Sequence, residues 1–154
     1  ARIITFGKAL GCHGAVILGS EKLHDYLINF ARSFIYTTGL SPHSLATIKI
    51  SYNELNTNLI NKLYQNILHF KAETLRLNVQ HQFIESNSAI HCCVISGMEK
   101  IKNIAKKLQK KGFDIKAILS PTVSEGEERL RFCLHSYNST KEITLLLENL
   151  ANFV

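Results

Sequence analysis

The order of apolar segments after residue 80 constrains the fold of this chain more than any other feature. The pattern predicts a strand over 89–95, a helix over 98–111 ended by Gly112, strands over 113–119 and 130–135, and a last helix that begins at a Ser139–Glu142 capping box. A strand–helix–strand–strand–helix order is typical of an α+β unit in which helices cover one face of a small sheet.

The first part of the chain carries a different pattern. Two apolar runs at 1–6 and 14–19 predict short buried strands, and residues 21–33 have apolar side chains at helical spacing. Residues 34–38 are β-branched and aromatic, which favours an extended segment that Gly39 ends. These elements resemble the edge of a larger α/β sheet, whose strands would need partners.

A helical connector joins the two parts. Ser41 and Pro42 predict a helix start, because proline suits the first helical turn. The inward face of this helix is predicted to contain Leu45, Ile48 and Tyr52. A polar stretch at 53–58 predicts an interruption, and helical spacing resumes over 59–77. We therefore expect three parts: 1–41, connecting helices over 42–79, and a small α+β domain over 80–154.

Composition excludes several classes of function. Of 154 residues, 45% are hydrophobic and 19% are charged, which is typical of a globular protein. The net charge of +6 comes largely from lysines of the 98–111 helix, without interleaved aromatic or arginine residues, so we expect a solvated face or an anion-attracting surface rather than a nucleic-acid site. The four cysteines and seven histidines lack metal-site spacing, so no metal is expected. No apolar run has the length of a membrane span, and we expect a cytoplasmic protein.

Lys8 lies between Gly7 and Gly11, in a loop between the two predicted N-terminal strands. Glycines allow a tight turn and a close approach of a ligand to the backbone. A lysine at a strand end, partly removed from water, is suited to Schiff-base formation with a carbonyl compound. The alternative is an ordinary solvated loop lysine.

The chain resembles the α-oxoamine synthases, which are fold-type-I pyridoxal-phosphate enzymes. The resemblance is carried in order by Thr5–Gly11 (TFGKALG), Gly14–Val16 (GAV), Phe30–Thr38 (FARSFIYTT), Ser120–Val123 (SPTV), Gly126 and Arg129–Phe132 (RLRF). It implies the C-terminal portion of such an enzyme: the end of the large cofactor-binding domain over 1–41, a long connecting helix, and the small domain. It also implies decarboxylative condensation of an amino acid with an acyl thioester, in the biotin-pathway branch L-alanine with a pimeloyl-type thioester.

The resemblance implies cofactor-binding roles in the N-terminal part. Lys8 is similar to the lysine that forms the Schiff base with pyridoxal 5'-phosphate and later moves protons at the substrate Cα. Thr5 resembles a hydroxyl donor to the cofactor phosphate. Thr37 or Thr38 matches a hydroxyl that reaches the phosphate across the interface of a homodimer. The alternative for these threonines is plain strand propensity.

Substrate-binding roles are implied in the C-terminal part. Arg131 resembles the arginine that binds the amino-acid carboxylate, a task that suits the guanidinium fork. Thr122 is a candidate for substrate contact, although a turn residue is an equal alternative. Arg129 is predicted to lie on the opposite face of the strand as a surface charge.

This chain departs from the α-oxoamine synthase pattern in two respects, and these leave other functions possible. Several family members have an arginine two residues before the Pro-Thr pair, where this chain has Leu119. A sister synthase that uses glycine or serine with another acyl-CoA therefore stays possible, as does a non-catalytic α+β module. The chain begins at Ala1 without the upstream groups that bind the cofactor in this family, so we expect a piece of a longer protein that is inactive alone.

Overall fold

The computed structural model describes residues 1–154. Its elements are β1 (Arg2–Thr5), β2 (Ala15–Leu18), α1 (Glu21–Phe30), α2 (Arg32–Ile35), α3 (Pro42–Glu54), α4 (Thr57–Arg76), a 3₁₀ turn (Gln80–Gln82), β3 (Ile90–Val94), α5 (Met98–Lys110), β4 (Lys116–Ile118), β5 (Arg129–Cys133) and α6 (Thr140–Ala151). The chain divides into an N-terminal unit, Ala1–Asn56, and a C-terminal unit, Thr57–Val154. This division falls within the predicted interruption at 53–58.

The N-terminal unit begins with an antiparallel hairpin. Strands β1 and β2 pair with each other alone, with Ile3 opposite Ile17 and Thr5 opposite Ala15. Both strands occur where the sequence predicts them, but the prediction that they are buried is wrong, since Ile3 is 70% exposed. A two-stranded ribbon covers little of its own surface.

Two helices follow the hairpin, and they differ from the prediction. Helix α1 ends at Phe30 because Ala31 has extended backbone angles (φ −78°, ψ 95°). The prediction of an extended segment over 34–38 is wrong for its first two residues, because Phe34 and Ile35 lie in α2. The Ile35 backbone N–H donates to the Ala31 carbonyl at 2.9 Å, and this local hydrogen bonding prevails over strand propensity.

Helix α3 begins as predicted, with Ser41 Oγ accepting from the Ser44 backbone N–H at 3.2 Å. Its predicted inward face is only partly correct. Ile48 is half-buried, whereas Leu45 is 54% exposed and Tyr52 is 45% exposed. The N-terminal unit is too small to cover the whole apolar face of this helix.

The C-terminal unit is built on an antiparallel sheet of strand order β3–β5–β4. Alternation places Cys93, Leu130 and Phe132 on one face, where each is at most 1% exposed. That face joins a core completed by α4, α5 and α6, with Phe70, Leu108 and Leu147 among its buried members. Fully burying one such side chain contributes about 1.5–3 kcal/mol to the free energy of folding. Burial in this core is therefore what holds the helices on one face of the sheet, as predicted for an α+β unit.

The two last helices match their sequence signals. Helix α5 buries Ile101 and Leu108 and ends before Gly112, whose φ of +92° favours glycine. The capping box is present at α6: Ser139 Oγ accepts from the Glu142 backbone N–H, and the Glu142 carboxylate accepts from the Ser139 backbone N–H. No helix combines the length and apolar character needed to cross a membrane.

Candidate active site

The turn that carries Lys8 is closed by three backbone hydrogen bonds. The Phe6 N–H donates to the Gly14 carbonyl at 2.9 Å, the Cys12 N–H to the Phe6 carbonyl at 2.9 Å, and the Gly11 N–H to the Lys8 carbonyl at 3.1 Å. Gly11 has a φ of +62°, so the tight turn predicted from the glycines is present there. The hairpin thereby presents the Lys8 side chain from a fixed backbone.

Buried side chains on both sides of the turn fasten it to α3. Phe6 is 5% exposed and meets Tyr52 edge-on, with ring centroids 5.9 Å apart. Cys12 is equally buried, and its Sγ lies 3.0 Å from Ser51 Oγ. Gly14 is tightly packed, because a Cβ there would lie 3.2–3.3 Å from side-chain atoms of α3, of Phe6 and of the loop before α3. The lysine loop is therefore anchored at its base.

Lys8 itself is exposed, so the expected partial removal from water does not occur within this chain. The buried residues of the loop are Phe6 and Cys12, and those between them are exposed except for the half-buried Leu10. Thr5 is also exposed, at the end of β1 on the same hairpin. Thr37 and Thr38 are exposed in the loop between α2 and α3 rather than in a strand.

These residues fit a phosphorylated aldehyde cofactor by their donor chemistry. An aldehyde needs a primary amine, which Lys8 offers, and a phosphate needs hydroxyl or N–H donors, which Thr5, Thr37 and Thr38 offer. None of the four side chains is engaged in a hydrogen bond. No group of three or more histidine, cysteine, aspartate or glutamate side chains forms a metal-ligand set.

Arg131 lies in β5 with an exposed side chain, opposite Cys92 of β3 and Lys116 of β4. The prediction that Arg129 lies on the opposite face is wrong, because residues two apart in a strand share a face. Arg129 differs in its contacts instead: its Nε donates to the Glu127 carbonyl at 3.0 Å. Arg131 has no such partner, which leaves its guanidinium free for a carboxylate.

A cavity of about 550 Å³ lies beside Arg131 in the C-terminal unit. Lys116, His135 and Tyr137 also line it, and the His135 and Tyr137 rings stack with centroids 4.8 Å apart. Thr122 is exposed in the β4–β5 connection, where its N–H donates to the Leu119 carbonyl at 2.9 Å. Three cationic side chains, Lys111, Lys116 and Arg131, line the cavity together with the carboxylates of Asp114 and Glu142, so its net charge is positive and favours an anionic ligand near Arg131.

Glu128 is a residue that the sequence did not point to. Its side chain is 2% exposed, and its carboxylate accepts from the backbone N–H groups of Gly97 at 3.1 Å and Gly126 at 3.3 Å. Backbone hydrogen bonds, first its own and then that of Gly97, hold the pKa of this carboxyl below its usual range. Glu128 thereby fixes the loop that carries Thr122 to the start of α5.

The six predicted site residues fall in both units. The N-terminal unit contains Thr5, Lys8, Thr37 and Thr38, and the C-terminal unit contains Thr122 and Arg131. Thr5 and Lys8 share one hairpin, and no hydrogen bond joins any of the six side chains to another. The anchors missed from the sequence are Cys12, Ser51 and Glu128. Cys12 lies between Gly11 and His13, so no apolar run marked it as a buried residue.

Comparison with known proteins gives consistent matches over almost the whole chain. The family described as aminotransferase class I and II matches residues 3–150. The 8-amino-7-oxononanoate synthase of Emericella nidulans is 38% identical over 159 residues, which cover 99% of this chain and 39% of that protein. The synthase of the same name from Photorhabdus laumondii is 34% identical and covers 98% of this chain and 39% of that protein.

Solved structures agree with these matches. The 8-amino-7-oxononanoate synthase of Francisella tularensis superposes with a TM-score of 0.81 at 30% identity, over 97% of this chain and 44% of that one. A serine palmitoyltransferase of Sphingomonas wittichii superposes with a TM-score of 0.83 at 18% identity, over 98% of this chain and 38% of that one, which shows a shared fold. The chain spans about two fifths of the length of the relatives it matches.

Proposed function

Because this chain belongs to the aminotransferase class I and II family, and within it to the α-oxoamine synthases, we propose that the full-length protein makes 8-amino-7-oxononanoate for biotin synthesis. It would join the acyl carbon of a pimeloyl-type thioester to the Cα of L-alanine, releasing the thiol and carbon dioxide. The observation that carries this proposal is the match of nearly the entire chain to two synthases of that name.

In this proposal Lys8 is the catalytic residue of the chain. Its Nζ would hold the cofactor by its aldehyde carbon, and its amine would take and return the proton at the substrate Cα. Pyridoxal phosphate, when bound, supplies an electron sink for the carbanion at that carbon. The anchored hairpin supports this role, because a fixed backbone limits the positions that the amine can reach.

The threonines and Arg131 bind and orient the ligands. The hydroxyls of Thr5 and of Thr37 or Thr38 donate to the cofactor phosphate, the latter across the interface of a homodimer that we propose for the full-length protein. Arg131 binds the carboxylate of the amino acid through its free guanidinium, and Thr122 contacts the substrate from the neighbouring loop. Charge-assisted, bidentate bonding of this kind fixes orientation as well as affinity.

The test is condensation by the full-length protein with L-alanine and pimeloyl-CoA, followed by carbon dioxide release and product mass. We expect Lys8→Ala to lower the rate roughly 10²- to 10⁴-fold, the range for loss of a positioned proton-transfer group. Lys22→Ala, which removes an exposed lysine of α1, should leave the rate unchanged. Equal rates for both variants would refute the role of Lys8.

Arg131→Ala tests the carboxylate site separately. We expect kcat/KM for L-alanine to fall about tenfold or more, since a hydrogen bond to a charged group is lost. Arg129→Ala is the matched control, because Arg129 lies on the same face of the same strand and bonds within its own loop. A larger loss in the control than in Arg131→Ala would assign the carboxylate to Arg129 instead.

Leu119 favours a second candidate, a sister synthase that joins glycine or serine to another acyl-CoA. Its side chain is half-buried and packs against the C-terminal core, so it offers no charge to the far end of an acyl chain. Profiling the full-length protein against both sets of substrates separates the candidates. We also propose that the protein is cytoplasmic and that residues 1–154 alone are inactive, since they comprise about two fifths of a relative's length.

A further inference from the structure

Two cationic side chains lie side by side on the open face of the C-terminal sheet. Lys116 of β4 pairs in register with Arg131 of β5. Residues directly opposite each other in an antiparallel pair share a face, with Cβ atoms about 4.5–5.5 Å apart. That face is turned away from the core, because Leu130 and Phe132 beside Arg131 are buried whereas both cations are exposed. The two positive charges therefore occupy one small area of surface.

Like charges directly opposite each other in a sheet are destabilising. Neither the Lys116 ammonium nor the Arg131 guanidinium forms a hydrogen bond or an ion pair that would offset this repulsion. The next row of the same face is built differently, because Arg129 lies opposite the apolar Ile118 and pairs with the Glu127 carboxylate at 3.5 Å. An arrangement that costs stability without an internal compensation is typical of a functional site, and here the missing compensation is an anion.

The acidic side chains of the adjoining cavity do not supply that anion. Lys116 and Arg131 both line the cavity of about 550 Å³, together with Asp114 and Glu142. The Glu142 carboxylate is held by the capping box, where it accepts from the Ser139 backbone N–H at 2.8 Å and from Ser139 Oγ at 3.1 Å. Asp114 is exposed and forms no ion pair with either cation. A small anion from outside the chain can therefore bind beside the two cations.

A single carboxylate can use both cations at once. Its two oxygens offer about four lone-pair positions, and the planar guanidinium fork takes two of them in a bidentate bond. An ammonium is a compact charge with three donors on a flexible stem, so it can approach a lone pair that the fork leaves open. Arg131 thus fixes the plane of the carboxylate, and Lys116 adds a third donor from the neighbouring strand.

We propose that Lys116 is a second carboxylate-binding residue, whose ammonium donates to the same substrate carboxylate that Arg131 holds. This inference rests on the proposed role of Arg131 and adds a residue to it. The ligand is an α-amino acid with a free carboxylate, and an amide of the same amino acid lacks the charge that the two cations recognise. Because Lys116 is exposed, its contribution decreases as the salt concentration rises.

Calorimetry of L-alanine binding to the full-length protein, without an acyl donor, measures this contribution directly. We expect Lys116→Met to raise the dissociation constant about three- to tenfold, since one charge-assisted bond at an exposed position is lost, and Lys116→Arg to restore most of the affinity. Lys110→Met is the control, because it removes the same charge from an exposed position of α5 outside the cavity and should have no effect. An equal rise in both methionine variants would overturn the proposal.

A double-mutant cycle tests whether the two cations hold one carboxylate. The loss of L-alanine affinity in Lys116→Met combined with Arg131→Ala should differ from the product of the two single losses by about twofold or more, because residues that bind one group are coupled. A loss equal to the product would show independent action and contradict the proposal. In condensation assays the KM for L-alanine should rise. A rise confined to the KM for pimeloyl-CoA would assign Lys116 to the distant carboxylate of the acyl donor instead.

Unfolding of the unliganded protein in urea separates a binding role from a structural one. Lys116→Met removes one of two opposed like charges, so the variant should be at least as stable as the unaltered protein. A loss of stability together with the loss of binding would assign Lys116 to the fold and overturn the proposal.

The same measurements distinguish this proposal from the proposed function. L-alanine binding that depends on Lys116, without formation of 8-amino-7-oxononanoate, would refute the function and support the role of Lys116. Product formation with an L-alanine dissociation constant that Lys116→Met leaves unchanged would refute the role of Lys116 and leave the function standing.

Discussion

Replacing Gly14 by alanine tests whether the lysine loop is held by its base. Gly14 has a φ of +133°, and an added Cβ would lie 3.2 Å from Leu40 Cδ1, 3.3 Å from Ile48 Cδ1 and 3.3 Å from a Phe6 ring carbon. The substitution therefore combines backbone strain with crowding at the point where the hairpin packs on α3. Lys8 is six residues away and is itself unchanged.

The two costs can be set out separately. A non-glycine residue held at a sparsely populated φ costs about 1–3 kcal/mol. Crowding of a packed site adds about 1–3 kcal/mol, with the lower part applying here because all three contacts are side-chain atoms that can shift. We expect the substitution to destabilise the closed hairpin by about 2–4 kcal/mol, which raises the equilibrium constant for its opening roughly 30- to 1000-fold.

Amide hydrogen exchange of Phe6 and Cys12 is the appropriate assay, because their N–H groups donate to the Gly14 and Phe6 carbonyls. Gly11→Ala is the matched control: its φ is +62°, but nothing lies within 4 Å of an added Cβ. That variant should lose only about 1–2 kcal/mol of stability, from placing a non-glycine residue in the left-handed backbone region. If both variants accelerate exchange of these two amides equally, the hairpin is not fastened through Gly14 and the anchoring argument fails.

Three further predictions concern the C-terminal unit. Leu147→Ala should lower the free energy of unfolding in urea by about 2–5 kcal/mol, because Leu147 is fully buried. Leu145→Ala, at a 53% exposed position of the same helix, should change it by about 0.5 kcal/mol or less. Similar losses in the two variants would contradict the assignment of Leu147 to the core. Hydrogen bonds from backbone N–H groups, first that of Glu128 itself, hold the pKa of the Glu128 carboxyl below its ordinary 4.5. The stability that this carboxylate contributes is therefore complete above pH 4.5 and is lost as pH falls through the pKa of the folded state. Glu128→Gln should flatten the fall of stability with acid, and an unchanged pH profile would show that Glu128 does not cause that fall. Burial raises the pKa of the Cys93 thiol to about 12, whereas Cys133 is exposed. Iodoacetamide at pH 8 should therefore alkylate Cys133 long before Cys93. Peptide mapping that finds the reverse order would contradict the buried position of Cys93.

The sequence predicted best where local pattern and tertiary packing agree. Helix α5 combines an apolar face with a glycine stop, and α6 adds a complete capping box, so both were predicted within a residue or two. The predicted fold class is also confirmed, since fold-type-I structures of the family cover nearly the whole chain. Agreement between signals at several levels is what makes a segment predictable.

The failures have a common cause in context that no local pattern contains. Phe34 and Ile35 favour strands by propensity, but helical hydrogen bonds from Ala31 onward prevail. Leu45 has helical spacing, yet the N-terminal unit leaves it exposed. The contacts of Glu128 with Gly97 join residues 31 positions apart, which spacing cannot reveal. The face of Arg129 was predictable, since a period of two places it beside Arg131.

The functional residues came from a different source. Lys8 and Arg131 were identified by resemblance to a family, because a lysine between glycines and an arginine in a strand have no specific chemistry on their own. The structure adds that the lysine hairpin has a packed base and that the arginine guanidinium has no internal partner. Their roles stay proposals that rest on the family and on these contacts.

The most direct test of the account is to locate the covalent attachment of pyridoxal phosphate. The full-length protein is mixed with the cofactor, reduced with borohydride, digested and mapped by mass. We predict that the pyridoxyl group is found on Lys8 and that Lys8→Ala removes it. A label spread over the exposed lysines of α5, with none on Lys8, would contradict the assignment of this chain's catalytic residue.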